Sequence, residues 1–292
     1  MTINNTDKRD YLVRMLDRTR NKKYENYVIT RIWHKLDRLD VKPITQQYVV
    51  RPNHGYALVD LFFPQIGMFF EIDEPFHDNK INIGNDKIRE MDVIQVTNNQ
   101  VIRIQVADHD IETINRVIDD SVRKIRNRIR NKSHSFIPWN MEEENDPQTY
   151  IKRGKISLKE NVSFKRSVDA CNCFGHKFKS IRRGWARHPT KRDTIIAFPK
   201  LYPHGEWLNE ISNDGSVIRE KNTDSKKNSN HIQQLLNDPR NHRIVFAQGK
   251  DSLGIMRYRF KGVFKLNTNK TKNEHSAIWE KISDEVETIK PA

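Results

Sequence analysis

Cysteine is almost missing from this chain: 292 residues contain only Cys171 and Cys173. With one residue between them, the two are poorly placed for an unstrained disulfide. Two thiols also fall short of the four ligands of a structural zinc site. A disulfide scaffold and a zinc module are therefore set aside, and both residues are read as reduced thiols of an intracellular protein. Long apolar runs are missing too, since none approaches the ~20 residues that span a bilayer. Residues Met1 to Asp10 are polar and hold no apolar signal core. The expectation is a cytoplasmic protein with no membrane contact. Acidic residues are in short supply, 38 against 52 Lys and Arg, for a net charge of +14. That excess favours a polyanionic partner; the plain alternative is a basic protein from a lysine- and asparagine-rich organism. Apolar residues are not scarce. At 36%, with 13 Phe and 5 Trp, they suffice for real cores, and the length suggests two domains.

The pattern along the chain divides accordingly. Residues 8–39 read as two helices, the second with Tyr27, Val28, Ile32 and Leu36 at helical spacing. Strands follow at 44–50, 56–63 and 67–73, with a turn at Pro64 to Gly67 between the last two. Residues 86–96 read as a helix and 101–106 as a buried strand. A long helix over 111–131 turns Ile114, Val117, Ile118, Val122, Ile125 and Ile129 inward. This is one α/β unit, residues 1–137. The acidic, proline-bearing stretch within 138–150 reads as a linker. Residues 151–292 form a second, β-rich α+β domain with strands at 194–198, 243–247 and 258–264. The polar stretch 222–230 reads as a mobile loop.

Three acids stand out because of their neighbours. Asp60 lies in YALVDLFF, and Glu71 and Asp73 lie in MFFEIDE. Both segments are apolar on both faces, as buried strands are, where a carboxylate is costly unless something neutralises it. A hairpin centred on Gln65 and Ile66 sets Phe63 against Met68, Phe62 against Phe69 and Asp60 against Glu71. Side chains alternate along a strand, so Asp73 shares the face of Glu71. Such oxygens suit Mg²⁺, bound through Asp60 and Glu71 with phosphate and water completing the shell. The competing reading pairs these acids with a buried cation such as Arg103. His77, four residues after Asp73, is a candidate general acid or base. Glu25 on the second helix is a further candidate.

These residues carry a resemblance. The string from VDLFFPQ through FFEIDEPFH, with the following helix and VIRI strand, resembles the Vsr-like branch of the PD-(D/E)XK nucleases. That superfamily places an acid on one strand and an acid-x-Lys pair on the next. Asp60 and Glu71 match the acids, but Asp73 stands where lysine is expected, which leaves His77 or Gln105 to share in orienting the attacking water. Further pieces, KYENYVITRI, TQQYVVRP, CFG, GEWLN and YRFKGVF, extend the resemblance to the whole chain. It is similar to the modification-dependent restriction endonucleases of the AbaSI type, which join a Vsr-like cleavage domain to an SRA-like domain.

The resemblance implies more than the residues alone give. The fold expected is a mixed central sheet flanked by helices, followed by an SRA-like domain that flips a modified cytosine out of the duplex. Trp207, Asn209 and Glu220 resemble its pocket residues. The implied activity is metal-dependent hydrolysis of double-stranded DNA bearing 5-hydroxymethylcytosine or its glucosylated form, by a homodimer, with no nucleotide cofactor. Basic runs fit such a partner. Residues 176–192 hold seven Lys or Arg, among them Lys177, Lys179, Arg182, Arg183 and Arg187, and residues 122–132 hold six. Two other readings stay open: a non-catalytic reader with a degenerate nuclease domain, and an enzyme that nicks mismatched or damaged DNA.

Overall fold

The computed structural model describes residues 8–51, 55–73, 94–95, 100–107, 109–132 and 135–290. The chain divides into two units, the first drawn mainly from residues up to Met141 and the second from Glu142 onward.

The first unit opens with helices α1 (Lys8–Asp17) and α2 (Lys23–Leu36). The apolar spacing of α2 turns Val28, Ile29, Ile32, Trp33 and Leu36 into the core. Tyr27, counted above with that stripe, stays exposed, and its hydroxyl donates to Asn115 Oδ1 at 2.8 Å. Strands β1 (Ile44–Arg51), β2 (Gly55–Phe63), β3 (Met68–Asp73), β4 (Ile94–Gln95) and β5 (Gln100–Gln105) form one sheet in the order β4-β1-β2-β3-β5. Residues 94–95 are thus strand rather than the end of a helix; the rest of the expected helix lies mainly outside the described residues. β2 and β3 are antiparallel, while β3 and β5 run parallel. The β2–β3 turn is closed by Ile66 and Gly67 amides donating to Phe63 and Pro64 carbonyls, with Gly67 at a φ of 61°. Helix α3 (Ile111–Asn131) begins where the Asp110 carboxylate accepts from the Thr113 amide at 2.7 Å. It buries Ile114, Ile118, Val122, Ile125 and Ile129 against Leu61, Phe63, Met68, Phe70, Ile72, Ile102 and Ile104. Each such side chain contributes roughly 1.5–3 kcal/mol on burial. The opposite face of β2 and β3, which carries Asp60 and Glu71, is left for other work.

The second unit starts with helix α4 (Pro147–Arg153), capped by Asp146. Within 138–150, Trp139 is buried in the first unit and Tyr150 in the second. Strands β6 (Lys155–Ser157) and β15 (Glu285–Glu287) pair with each other. The main sheet of the unit comprises β7 (Ser163–Phe164), β8 (Trp185–Arg187), β9 (Thr194–Ala197), β10 (Glu210–Ile211), β11 (Val217–Glu220), β12 (His242–Lys250), β13 (Met256–Leu266) and β14 (Ala277–Ser283). Its order is β10-β11-β14-β13-β12-β9-β8, with β7 on β13. Phe164, Phe174, Phe246 and Phe260 pack at its centre. Cys171 and Cys173 are buried free thiols in the same core, and burial pushes the Cys171 thiol up to about 12. The polar stretch expected to be a loop is mostly helix, Ser225–Asn237. Asp224 caps it at the Lys227 amide, and the buried Asn228 donates to His275 O and accepts from the Asn222 amide, both at 2.9 Å.

Candidate functional site

The first candidate site forms where β2 leaves β3. Their pairing keeps the expected register, Phe63 with Met68 and Phe62 with Phe69, and runs as far as Leu61 with Phe70. One step beyond, the Asp60 carboxylate accepts from the Ile72 amide at 2.8 Å. A side chain thus takes a main-chain donor at the mouth of the hairpin, which fixes Asp60 on rigid strands. Its other oxygen accepts from Gln46 Nε2 at 3.3 Å, and the same nitrogen donates to Glu25 Oε1 at 2.5 Å. Glu25 is buried on α2, and Lys22 Nζ lies 2.7 Å from its Oε2. Burial holds the Asp60 carboxyl above the usual carboxylate range, against the pull of the Ile72 amide, the Lys22 charge and bonds from Gln46 and Glu25. Glu25 and Asp60, read separately in the sequence, are brought together.

Glu71 and Asp73 share a different partner. Parallel pairing sets Glu71 beside Arg103 and Asp73 beside Gln105. The Arg103 guanidinium lies 3.1 Å from Glu71 Oε2 and 3.8 Å from Asp73 Oδ1. Arg103 is the cation considered above as the alternative to a metal. Its side chain is 60% exposed, so this pairing is open to solvent rather than locked in a core. Gln105 is exposed at the end of β5. His77 lies outside the described residues.

Among the described residues, no three His, Cys, Asp or Glu side chains gather as ligands of one ion. A closed structural metal cage does not fit that arrangement. A hard cation held by one or two carboxylates, with phosphate and water completing its shell, fits the oxygen donors present, Asp60 with Glu25 linked to it through Gln46, and Glu71 on the next strand.

The second candidate site lies on one face of the second unit. Trp207 bridges to Asn222, and β10 pairs with β11 as Glu210 with Arg219 and Ile211 with Ile218. The same register sets Asn209 opposite Glu220. Residues opposite each other, and residues two apart, share a face of a sheet. Trp207, Asn209 and Glu220 therefore look the same way. The His231 ring stands edge-on to Trp207 with centroids 4.9 Å apart, and its Nε2 lies 3.8 Å from Glu220 Oε2. Glu220 accepts from Arg243 Nη1 at 2.7 Å and from Trp279 Nε1 at 3.2 Å, while the guanidinium covers the Trp279 ring at 3.6 Å. Burial alone pushes the Glu220 carboxyl up, but the charge and hydrogen bond of Arg243, with His231 nearby, outweigh it and hold the group down to about 2. Asn209 is 6% exposed, and its Oδ1 has no hydrogen-bond partner among the described residues. A buried acceptor without a donor is costly in a folded chain and suits a ligand that brings one.

Residues 9–126 match the family described as restriction endonuclease PvuRts1 I-like, N-terminal. Residues 149–288 match the SRA, or SET and RING associated, domain. No curated protein sequence matches. Among solved structures, "The 5-Hydroxymethylcytosine-Specific Restriction Enzyme AbaSI" superposes with a TM-score of 0.90 at 38% identity, covering 97% of this chain and 98% of that one. The chain belongs to the AbaSI-like family of restriction endonucleases. At 38% identity it is a relative of AbaSI rather than AbaSI itself. The nuclease-plus-SRA architecture expected from the sequence is borne out, and the chain is a deoxyribonuclease.

Within this AbaSI-like enzyme, Lys177, Lys179, Arg182, Arg183 and Arg187 are all exposed, on β8 and the segment before it. Arg183 and Arg240 both lie against the Trp185 ring, at 5.9 and 5.1 Å. No described helix is long and apolar enough to cross a membrane. Sequence reasoning missed Gln46, Lys22, His231 and Arg243. Only Gln46 left a faint signal, as one of two glutamines in an otherwise β-branched and aromatic strand.

Proposed function

We propose that this enzyme cuts double-stranded DNA containing 5-hydroxymethylcytosine or its glucosylated form. The observation that carries the reading is the shared face of Trp207, Asn209 and Glu220, with a buried acceptor at its centre. A flipped base costs a few kcal/mol of stacking and pairing. Trp207 returns roughly 1–3 kcal/mol by stacking. The Asn209 Oδ1 acceptor meets a donor on the base edge, the exocyclic amine or the hydroxymethyl group. Arg243 keeps Glu220 ionised, so its carboxylate serves as an acceptor and never as a donor. The residues Lys177, Lys179, Arg182, Arg183 and Arg187 contact backbone phosphates.

Cutting falls to the first unit. Mg²⁺, when bound, polarises the scissile phosphodiester and activates a water for in-line attack. Asp60 and Glu71 would hold it, with Glu25 beside Asp60, and Asp73 and Gln105 would share in orienting the attacking water, a role the sequence also offers to His77, which lies outside the described residues. Arg103 is 60% exposed, so its pairing with Glu71 is one that an ion at Glu71 would have to displace. Reading and cutting occupy separate units, so the cut falls at a distance from the base. Cutting both strands requires two sites, supplied by a homodimer.

The reading is tested by equilibrium binding to duplexes that differ only at one cytosine. Trp207→Ala and Asn209→Ala are expected to reduce the preference for the modified duplex at least tenfold, on the order of 1.4 kcal/mol each. Unchanged preference in both variants contradicts the assigned face.

A further inference from the structure

The carboxylates at the mouth of the β2–β3 hairpin raise a charge problem. Glu25 is buried and Asp60 half-buried, and a phosphodiester brings another negative charge. β3 offers no lysine to balance them, because the residue two after Glu71 is Asp73, which lies against Arg103. A cation does reach the cluster from elsewhere. Lys22, the residue that caps the start of α2, places Nζ 2.7 Å from Glu25 Oε2 and 3.1 Å from Gln46 Oε1. Its charge acts on Asp60.

Gln46 makes that approach possible. Its backbone is in the left-handed region, with φ 53°, which is unfavourable for a residue with a Cβ, and its side chain is buried. From there one carboxamide serves three groups at once. Nε2 donates to Glu25 and Asp60, and Oε1 accepts from Lys22. That division also fixes which end of the amide is which, since two carboxylates need a donor and an ammonium needs an acceptor. Within the cluster, Glu25 is buried at 1% side-chain exposure, whereas Lys22 is 30% exposed. Lys22 is therefore the member that faces an incoming strand.

We propose that Lys22 is a catalytic residue of the nuclease site, its ammonium meeting a non-bridging oxygen of the scissile phosphate, and that Gln46 is the positioning residue that holds it beside Glu25 and Asp60. The amine supplies from the start of α2 the positive charge that the strand position occupied by Asp73 does not. In the transition state the phosphoryl oxygens gain negative charge, and a fixed ammonium beside them stabilises that charge without rearrangement. This inference rests on the reading that Asp60 marks the cutting site.

The experiment uses the full chain and a duplex bearing 5-hydroxymethylcytosine. It measures single-turnover cleavage with Mg²⁺, duplex binding in Ca²⁺, Ca²⁺ affinity by calorimetry, and thermal unfolding. Lys22→Met is expected to slow cleavage by about 100-fold while duplex binding weakens by less than about tenfold, as for the loss of one phosphate contact. Lys22→Arg regains at least about tenfold of that loss, because it restores charge but not shape. Ca²⁺ binds Lys22→Met at least as tightly as the parent, since a cation beside the carboxylates is gone. Gln46→Met slows cleavage as well, and a second change at Lys22 then adds little, as expected of residues acting as one unit. If Lys22→Met does not fold, Lys22→Gln reads the same loss while keeping a hydrogen-bond donor to Glu25. Lys22→Met cutting within about threefold of the parent, or Lys22→Arg no faster than Lys22→Met, overturns the proposal. Asp60→Asn separates the two layers. If it is inactive while Lys22→Met is normal, only the role of Lys22 fails; if it also cuts normally, the location of the site fails.

Discussion

At the scale of single residues, the second unit depends on a buried ion pair. Glu220 and Arg243 meet at 2.7 Å in a nearly water-free setting, with side-chain exposures of 8% and 12%. Removing one partner of such a pair leaves the other charged and buried, at a cost of roughly 3–5 kcal/mol. Glu220→Gln is accordingly expected to lower the unfolding temperature of the second unit by several degrees, read by calorimetry. The pH dependence has a definite sign. The carboxyl ordinarily titrates near 4.5 and is held down to about 2 in the fold, so its contribution is present above 4.5 and is lost as pH falls from there toward 2. The difference amounts to roughly 3 kcal/mol over that window. Glu220→Gln flattens the acid limb of the stability curve; an unchanged limb contradicts the pairing. Asp60 and Glu71 were legible at this scale, because an acid in an apolar strand is conspicuous. Gln46 and Lys22 were not, since their meeting depends on a left-handed residue in β1 and on where α2 begins. The role of Arg103 was visible only as one of two options.

At the scale of elements, the strands read in the sequence and the long helix followed from periodicity, with boundaries moved by up to three residues. Strands β6, β7, β8, β10, β11, β14 and β15 left no pattern that was read, and residues 94–95 are strand instead of helix. The helix Ser225–Asn237 did not follow from periodicity either. Its first two turns read KKNSN and bury Asn228 instead of an apolar residue, so its start carries no apolar stripe, and Ile232 is the first apolar residue that it buries. A capping aspartate and a buried amide anchor its first half, and Ile232 and Leu235 its second. The His231 contact to Trp207 was lost with it. Another element depends on a single glycine. Gly262, within YRFKGVF, sits where the pairing of β12 and β13 shifts register, at a φ of 115°. A Cβ there meets Lys281 Cδ and Ser283 O, both at 2.8 Å. The oxygen belongs to the backbone of the β14 strand and has little room to move. Gly262→Ala is expected to destabilise the second unit by roughly 2 kcal/mol or more, through strain and overpacking together. Denaturant unfolding checks this, and a change below about 0.5 kcal/mol contradicts the strained geometry.

At the scale of the whole molecule, two functions share one chain. A net charge of +14 draws DNA without regard to sequence, and it places no information in the encounter. In the proposed reading, selectivity comes from the face of Trp207, Asn209 and Glu220, and chemistry from the strands that carry Asp60 and Glu71. The composition announced the partner and the strand pattern announced the acids. The pocket residues entered only through resemblance, because a tryptophan, an asparagine and a glutamate in a β-rich half have no spacing that marks them. Their common face emerges from the pairing of β10 with β11, which no local pattern encodes. The central claim, that base modification licenses cutting, is tested most directly by timed cleavage of three duplexes identical but for one base: cytosine, 5-hydroxymethylcytosine and its glucosylated form. The account predicts cutting of one or both modified duplexes and none of the plain one under the same conditions. Equal cutting of all three, or cutting of the plain duplex alone, contradicts it.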